Sequence, residues 1–254
     1  YEAVPNRKEV ITDSMFEHLY EMGSKSVQDS LDDAILDWAS WGRYSGPRQG
    51  EWCQTRQTKY DTAKNTDEAE AIRGDDVEFF DLTGKLVDTE IGNLAFISYA
   101  QVRWRWQKNG DNGEKRKYFR DPSAQRWCPC LALWNIMQRA KRLGIPANEP
   151  IAKYQREDGK ILFITNNNFT KALYSAAKVK LGIKNAKDLK KWSCHSLRVT
   201  AANELHRLGF NETYIKQRLR WRSDAFMVYL RDTIHIARKH SKAMRFSNAN
   251  TKYG

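Results

Sequence analysis

The stretch that most constrains the fold of this chain is residues 193–233, which read S-C-H-S-L-R-V-T-A-A-N-E-L-H-R-L-G-F-N-E-T-Y-I-K-Q-R-L-R-W-R-S-D-A-F-M-V-Y-L-R-D-T. The first half has the apolar spacing of a helix that ends at Gly209, and Asn211 is a suitable N-cap for a second, shorter helix. His195 and Arg198 are three residues apart, so a helix presents both on one face. The sequence therefore predicts two consecutive helices, the first with a histidine and an arginine side by side.

Trp221 and Tyr229 follow the second predicted helix. We expect them to converge with His195 and Arg198 on one site, which then contains a cation, an indole N–H and a phenol hydroxyl. Such a set suits a phosphodiester, because arginine neutralises the non-bridging oxygens and tyrosine can supply an oxygen nucleophile.

The order H-x-x-R, Trp, Tyr resembles the C-terminal half of the tyrosine recombinase (phage integrase) catalytic domain. The wording R-L-R-W-R-S-D-A-F-M-V-Y-L-R is most similar to eukaryotic members carried by mobile elements, such as Crypton-type transposons. The resemblance covers residues 10–246. It implies an α+β fold, in which residues 1–254 form one mainly α-helical catalytic domain with a small antiparallel three-stranded sheet. The family's separate N-terminal DNA-clamping domain is expected to be absent from this chain.

A second motif, S-G-P-R-Q-G-E-W at residues 45–52, resembles the first arginine box of that family, whose pattern is roughly T/S-G-x-R-x-x-E. By this match Arg48 is the first catalytic arginine. Glu51 is then a supporting residue that holds the local structure or orients its partners. Pro47 and Gly50 depart from the pattern, which leaves the local backbone open. The alternative is that Arg48 only ends a helix beside a solvent-facing loop.

A β-hairpin is predicted between these two motifs. Residues 95–106 are strand-like, K-N-G-D-N-G at residues 108–113 is a strong turn, and residues 116–119 form the return strand. The family carries a catalytic lysine on such a turn, and Lys108 is the best positional match. Lys115 is the second candidate, and a solvated turn lysine is the alternative.

Basic residues are frequent near the predicted site. The chain has 43 lysines and arginines against 31 acidic residues, a formal net charge of +12 and a pI near 9.5, which favours nucleic acid as partner. A solvated helix face is the alternative reading of this charge. The predicted DNA-contacting residues are Lys171, Lys178, Lys190, Lys191, Arg220 and Arg222.

Composition also limits the classes of protein to consider. The four cysteines show no disulfide spacing, and Cys128-Pro129-Cys130 lacks the second ligand pair of a zinc site. We therefore expect reduced thiols, no metal and no cofactor. No apolar stretch has the length of a membrane span. Trp104 and Trp106 share one strand face and are expected to pack the sheet on its helices rather than to stack on bases.

The resemblance implies that a DNA strand is cleaved and rejoined through a 3′-phosphotyrosine, without a metal ion. Tyr229 would attack the phosphorus, and Lys108 would protonate the departing 5′-oxygen. The two arginines would hold the non-bridging oxygens, and His195 would act in general acid–base catalysis. Trp221 would donate a hydrogen bond to a phosphate oxygen.

Two other functions fit the same residues, namely a type IB topoisomerase-like enzyme and a catalytically silent, domesticated DNA-binding domain. The sequence W-R-S-D-A-F-M-V-Y favours a recombinase over these two alternatives. The expected partner is double-stranded DNA, bound by a homotetramer on paired sites that is monomeric when free. Residues 232–246 predict an amphipathic helix for that assembly. The expected location is the nucleus if the source is eukaryotic, and otherwise the cytoplasm or nucleoid.

Overall fold

The computed structural model describes residues 7–53, 58–61, 66–89, 93–107 and 110–223, together with Phe226, Met227, Leu230, Arg238 and Lys242. The predicted catalytic residues Lys108 and Tyr229 lie outside these residues. Most of the tail helix predicted over residues 232–246 lies outside them as well.

The described residues contain eight α-helices, and none of them is long and apolar enough to cross a membrane. Their first residues follow local capping signals: Thr12, Ser30 and Asn211 each accept a hydrogen bond from a backbone N–H of the helix they precede. For Asn211 this confirms the predicted N-cap. The helices are α1 (Asp13–Gly23), α2 (Leu31–Ser45), α3 (Gln49–Trp52), α4 (Pro129–Arg142), α5 (Asn166–Leu181), α6 (Ala186–Leu189), α7 (His195–Arg207) and α8 (Glu212–Arg218).

Seven short strands complete the described structure, and all their pairings are antiparallel. The central sheet has the order β3-β4-β5, which confirms the predicted three-stranded sheet and its hairpin. The other two pairs, β1–β2 and β6–β7, lie outside the predicted sheet. The strands are β1 (Thr58–Asp61), β2 (Thr66–Ala69), β3 (Val77–Phe80), β4 (Tyr99–Trp104), β5 (Glu114–Phe119), β6 (Lys153–Gln155) and β7 (Ile161–Phe163).

The core is organised around α2, which packs against α1, α4 and α7. Two pairs of stacked tryptophans connect it to its neighbours. Trp38 stacks on Trp52 of α3 with ring centroids 5.0 Å apart, and Trp41 stacks on Trp104 of β4 at 5.5 Å. All four are at most 1% exposed. Trp104 therefore packs the sheet on a helix, as predicted, and its ring is not available to a base.

Two glycines set α7 close against α2. A Cβ atom at Gly42 would lie 2.8 Å from Cδ1 of Leu197, so a larger residue would push the helices apart. Gly46 ends α2 with a φ of +51°, and a Cβ there would lie 3.1 Å from Cβ of Ala201. Because the chain turns at this point, Arg48 comes directly beside the start of α7.

Candidate active site

Three segments that are distant in sequence meet where α2 ends. The first contains Arg48, the residue before α3, and the second is the first turn of α7 with His195 and Arg198. The third is the dipeptide Arg220-Trp221 after α8. The structure therefore brings together four of the six predicted catalytic residues, and the other two are the ones outside the described range.

Arg48 is held by Glu51 in a reciprocal arrangement at the start of α3. Its backbone N–H donates to Oε2 of Glu51 at 2.7 Å, and its Nη1 donates to Oε1 at 2.7 Å. Nη2 donates to the backbone carbonyl of Arg220 at 3.0 Å. The side chain is 25% exposed, so a ligand can reach this guanidinium from solvent.

Arg198 lies deeper, at 1% exposure. Its Nη1 donates to the carbonyl of Gly46 at 2.8 Å and its Nη2 to the carbonyl of Arg220 at 3.3 Å. The indole ring of Trp221 lies against the guanidinium, with Cζ 4.1 Å from the ring centroid. Both predicted catalytic arginines thus donate to one carbonyl oxygen, and the deeper one is covered by the predicted catalytic tryptophan.

The position of Arg220 does not fit its predicted role as a DNA contact. Its side chain has no exposed surface, and its guanidinium lies 3.2 Å from the ring centroid of Trp104. It donates to Oε2 of Glu51 at 2.9 Å and to the carbonyl of Ser45 at 3.3 Å. A residue enclosed in this way cannot touch a DNA phosphate in this structure, because it forms part of the wall behind the other two arginines.

Glu51 is the acidic partner of this group and is 3% exposed. Burial raises the pKa of its carboxyl, but the charges of Arg220, Arg48 and Arg198 outweigh burial and hold the pKa below its usual range. The carboxylate is therefore ionised at neutral pH. The sequence predicts a supporting role for Glu51, and in the structure its carboxylate accepts hydrogen bonds from Arg48 and Arg220.

His195 is the first residue of α7 and is half-buried. Burial, together with the positive charges of Arg198, Lys8 and Arg48, lowers its pKa to about 4. Its imidazole is therefore neutral at physiological pH. A neutral imidazole can accept a proton, which is the state that a general base needs.

Two cysteines tie the arginine box to the histidine. Cys53 directly follows α3 and Cys194 directly precedes His195, and their sulfurs are 3.8 Å apart in the core. The hydrogen bond with Cys53 and burial raise the pKa of the Cys194 thiol well above its ordinary value. These thiols therefore act as packing groups that fix the spacing of the two motifs.

The alternative lysine, Lys115, lies on β5 and pairs with Glu78, with Nζ 3.0 Å from Oε2. In the β4–β5 register Trp104 faces Glu114, so Lys115 projects from the opposite sheet face. That face is not the one against which Arg220 lies. The geometry therefore does not favour Lys115 as a partner of the arginines.

The remaining predicted DNA contacts are all exposed. Two of them lie on α5, two directly follow α6, and Arg222 follows Trp221. One of the four lysines is engaged, because Nζ of Lys191 lies 2.9 Å from Asp188. DNA contact stays a prediction for Lys171, Lys178, Lys190, Lys191 and Arg222.

Sequence reasoning missed the backbone groups of the site and the true environment of Arg220. The carbonyls of Ser45, Gly46 and Arg220 supply acceptors for the guanidiniums. No side-chain pattern signals such carbonyls. The one available hint is the spacing R-x-R-W-R at residues 218–222, which contains more arginines than one phosphate requires.

Comparisons with known proteins add the fold. Neither a search of protein-family models nor a search of curated proteins found a match. Among solved structures, the chain is similar to the crystal structure of XerA recombinase, with a TM-score of 0.52 and 17% identity over 96% of this chain and 69% of that chain. Complexes of the Tn1549 transposon integrase with circular intermediate DNA and with transposon right end DNA match 96% of this chain and 68% of theirs, at TM-scores of 0.42 and 0.44 and identities of 14% and 16%.

The chain therefore has the mainly helical α+β fold of the tyrosine recombinase catalytic domain, with its small antiparallel three-stranded sheet, as the sequence predicts. At this identity the likeness to XerA recombinase concerns the fold, and the activity has to be argued from the site.

Proposed function

We propose that this chain cleaves and rejoins DNA strands through a 3′-phosphotyrosine intermediate, without a metal ion, in the recombination or integration of a mobile element. In this proposal it is a tyrosine recombinase, and its origin is a eukaryotic mobile element of the Crypton type. Double-stranded DNA is the substrate.

The observation that carries the proposal is the meeting of Arg48 and Arg198 on the carbonyl of Arg220. Two guanidiniums repel each other, so their approach to one acceptor needs the carbonyl oxygen between them and the nearby carboxylate of Glu51. A phosphodiester offers two non-bridging oxygens that bear negative charge, and arginine forks match that geometry. The arrangement thus supports a phosphate as ligand, on a fold shared with XerA recombinase.

In the proposed reaction, each side chain of the site would have one role. Tyr229 would attack the phosphorus and lose its proton to the neutral imidazole of His195. The bond from phosphorus to the 5′-oxygen would break, and Lys108 would give that oxygen a proton. The two arginines would stabilise the charge that builds on the non-bridging oxygens, which is the largest single contribution a fixed site can make. Reversal with another strand's 5′-hydroxyl would reseal the DNA.

The covered position of Arg198 implies an order of binding. A phosphate can reach Arg48 directly, whereas it can reach Arg198 only by displacing the carbonyl of Arg220 or the ring of Trp221. We therefore propose that DNA engages Arg48 first and that Trp221 then moves aside. The indole N–H of Trp221 would donate to a phosphate oxygen in the new position.

Two other functions remain candidates for the same residues. A type IB topoisomerase-like enzyme would relax plasmid DNA without joining two duplexes. A catalytically silent DNA-binding domain would bind DNA and form no covalent product. The convergence of two arginines and a neutral histidine favours a catalytic site over a silent one, because simple phosphate binding does not require a proton acceptor.

The proposal extends to assembly and location. We propose a monomer in free solution and a homotetramer on paired DNA sites, with exposed lysines on α5 and after α6 contacting phosphates. If the source is eukaryotic, the protein acts in the nucleus.

The test is capture of the covalent intermediate. The protein is incubated in EDTA with a pool of nicked duplexes that have randomised flanks, and denaturing gels and peptide mapping identify the attached residue. We expect an adduct on Tyr229. Tyr229→Phe should abolish the adduct and leave DNA affinity nearly unchanged, because most affinity comes from phosphate neutralisation.

Other outcomes point elsewhere. An adduct that persists in the phenylalanine variant would assign the nucleophile to a different residue. A requirement for magnesium would contradict the arginine-based mechanism. DNA binding with no adduct would favour the silent domain, and plasmid relaxation without strand joining would favour the topoisomerase.

A further inference from the structure

Arg220 has a backbone conformation that residues with a Cβ atom avoid. Its φ is +59°, and among the described non-glycine residues only Asp29 also has a positive φ. This conformation is unfavourable because Cβ approaches the following carbonyl oxygen. It persists where the surroundings fix it, and such residues cluster at functional sites.

The left-handed turn aims the carbonyl of Arg220 into the site. There it accepts from Nη2 of Arg48 at 3.0 Å and from Nη2 of Arg198 at 3.3 Å. This one oxygen sets the separation of the two guanidiniums that the proposed function assigns to the phosphate. A helical or extended conformation at this position would turn the carbonyl to another direction.

The side chain of Arg220 fixes Arg48 from behind. Its guanidinium lies between the ring of Trp104 and Oε2 of Glu51. The other oxygen of Glu51 accepts from Nη1 of Arg48. A continuous chain of hydrogen bonds thus runs from the enclosed Arg220 through the buried Glu51 to the partly exposed Arg48.

The charges of the group support this arrangement. Three guanidiniums surround one carboxylate, and the charge of Arg220 is the largest electrostatic contribution that opposes the effect of burial on the pKa of Glu51. If Arg220 were removed, that pKa would rise. A protonated Glu51 would hold Arg48 less firmly.

We propose that Arg220 is a positioning residue of the phosphate site: its left-handed backbone and buried guanidinium place Arg48 and Arg198, and it does not itself contact DNA. The inference rests on the proposed function for the identity of the ligand. It differs from a purely structural role, in which Arg220 only joins the sheet to α3.

The test uses variants that separate the carbonyl from the guanidinium. Arg220→Gly keeps the carbonyl, because glycine adopts a positive φ without strain, and removes the guanidinium. Arg218→Ala is the matched control: Arg218 also packs on the sheet, donating to the carbonyl of Lys117 at 3.1 Å, but has no contact with Glu51. Glu51→Gln is made alone and together with Arg220→Gly.

We expect Arg220→Gly to slow adduct formation at least about 30-fold at pH 7, and Arg218→Ala to stay within about threefold of wild type. The rate of Arg220→Gly should fall at a higher pH than in wild type, because Glu51 takes up a proton more readily. Glu51→Gln should slow the wild type, and Arg220→Gly should not slow the Glu51→Gln variant further, since the guanidinium of Arg220 then lacks the carboxylate through which it acts on Arg48.

Three results would overturn the proposal. The first is a rate of adduct formation by Arg220→Gly within about threefold of wild type. The second is a loss of rate that is the same at every pH and matches the unfolded fraction measured by circular dichroism. The third is that the effects of Arg220→Gly and Glu51→Gln on the rate are independent and multiply. If Arg220→Gly does not fold, the double variant is compared with Glu51→Gln. The double variant should be at least as active, and a further loss would overturn the proposal.

The proposed function can fail separately. If wild type forms no adduct on any DNA, the strand-cleaving function is wrong. A carbon-13 titration of the Glu51 carboxyl then decides the positioning role. A higher pKa in Arg220→Gly than in wild type supports it, and an unchanged pKa overturns it.

Discussion

Arg198 and Arg220 are almost fully enclosed, at 1% and 2% exposure, and both are charged. A buried guanidinium needs acceptors, and much of what surrounds these two is neutral backbone: the carbonyls of Ser45, Gly46 and Arg220 itself. Carbonyl acceptors satisfy the N–H groups without cancelling their charge. Glu51 accepts from both Arg48 and Arg220, so one carboxylate is shared between these guanidiniums. An excess of positive charge of this kind is what an anionic ligand requires.

Because His195 lies among these cations, its protonation makes the free energy of unfolding depend on pH. Burial and the neighbouring cations lower its pKa to about 4 from an ordinary value of 6.5. Between these values the unfolded chain binds a proton that the folded chain does not. The free energy of unfolding should therefore fall as the pH is lowered through this window.

We expect His195→Gln to remove part of this acid sensitivity. From pH 7 to pH 4 the variant should lose less stability than wild type, by on the order of 2 kcal/mol, because glutamine has no proton to take up. Urea unfolding followed by tryptophan fluorescence at several pH values measures the difference.

The range above pH 7 is the internal control, since the histidine is neutral in both states there. The difference between variant and wild type should be constant in that range. Parallel stability curves down to pH 4 would show that His195 is not held neutral by the fold.

The sequence predicts some residues of the site and not others, for a physical reason. His195 and Arg198 share a helix face, and Arg48 and Glu51 lie in one short motif, so local spacing places each pair. The enclosure of Arg220 depends on Trp104 and on a positive φ, which long-range packing determines. The predicted DNA contact at Arg220 did not anticipate this enclosure.

At the scale of elements, α2 and α4 are joined by a buried polar network. Arg139 of α4 is 2% exposed, donates to Asp33 at 3.0 Å and forms an ion pair with Asp37. Burial raises the pKa of Asp37 to about 6 even beside this guanidinium. Two cavities of about 220 and 300 Å³ lie along the same contact, away from the candidate site.

We expect Arg139→Ala to lower the free energy of unfolding by about 3 kcal/mol or more, because it leaves buried carboxylates without their cation. Urea unfolding at pH 7 measures the loss.

Arg142→Ala is the control for this prediction. Arg142 also joins α4 to the loop before α2 by donating to Asp29 at 2.7 Å, but its side chain is 40% exposed. Its loss should cost about 1 kcal/mol or less. Equal losses in the two variants would contradict the importance of burial.

Elements were predictable where the determining signal is local. The N-caps and the strong turn after β4 are local, and the structure confirms these helices and the hairpin. The strands of the pairs β1–β2 and β6–β7 have only three or four residues each, which is too short for a periodicity to mark them. Their existence depends on pairing partners rather than on their own composition.

At the scale of the whole molecule, the basic residues behind the formal charge of +12 lie both on the surface and in the candidate site. Lysines on α5 and after α6 are exposed on the surface, while the guanidiniums of the site are mostly enclosed. In the proposed function, this division would assign general affinity for DNA to the surface and recognition of one phosphate to the site. Assembly on DNA would then depend on segments that lie beyond the site.

The segment after Tyr229 is the candidate for assembly. Residues 232–246 alternate apolar and basic side chains with helical spacing, and Arg238 and Lys242, which the structure describes, are exposed. The apolar side needs a surface to cover it, in its own domain or in a neighbouring protomer of a tetramer on DNA.

We expect deletion of residues 235–254 to weaken complexes on paired target DNA more than binding to a single site. Light scattering should show a monomer before and after deletion, and gel shifts with single and paired duplexes, selected from a random pool, compare the two losses. Equal losses, or none, would mean that the tail covers only its own domain.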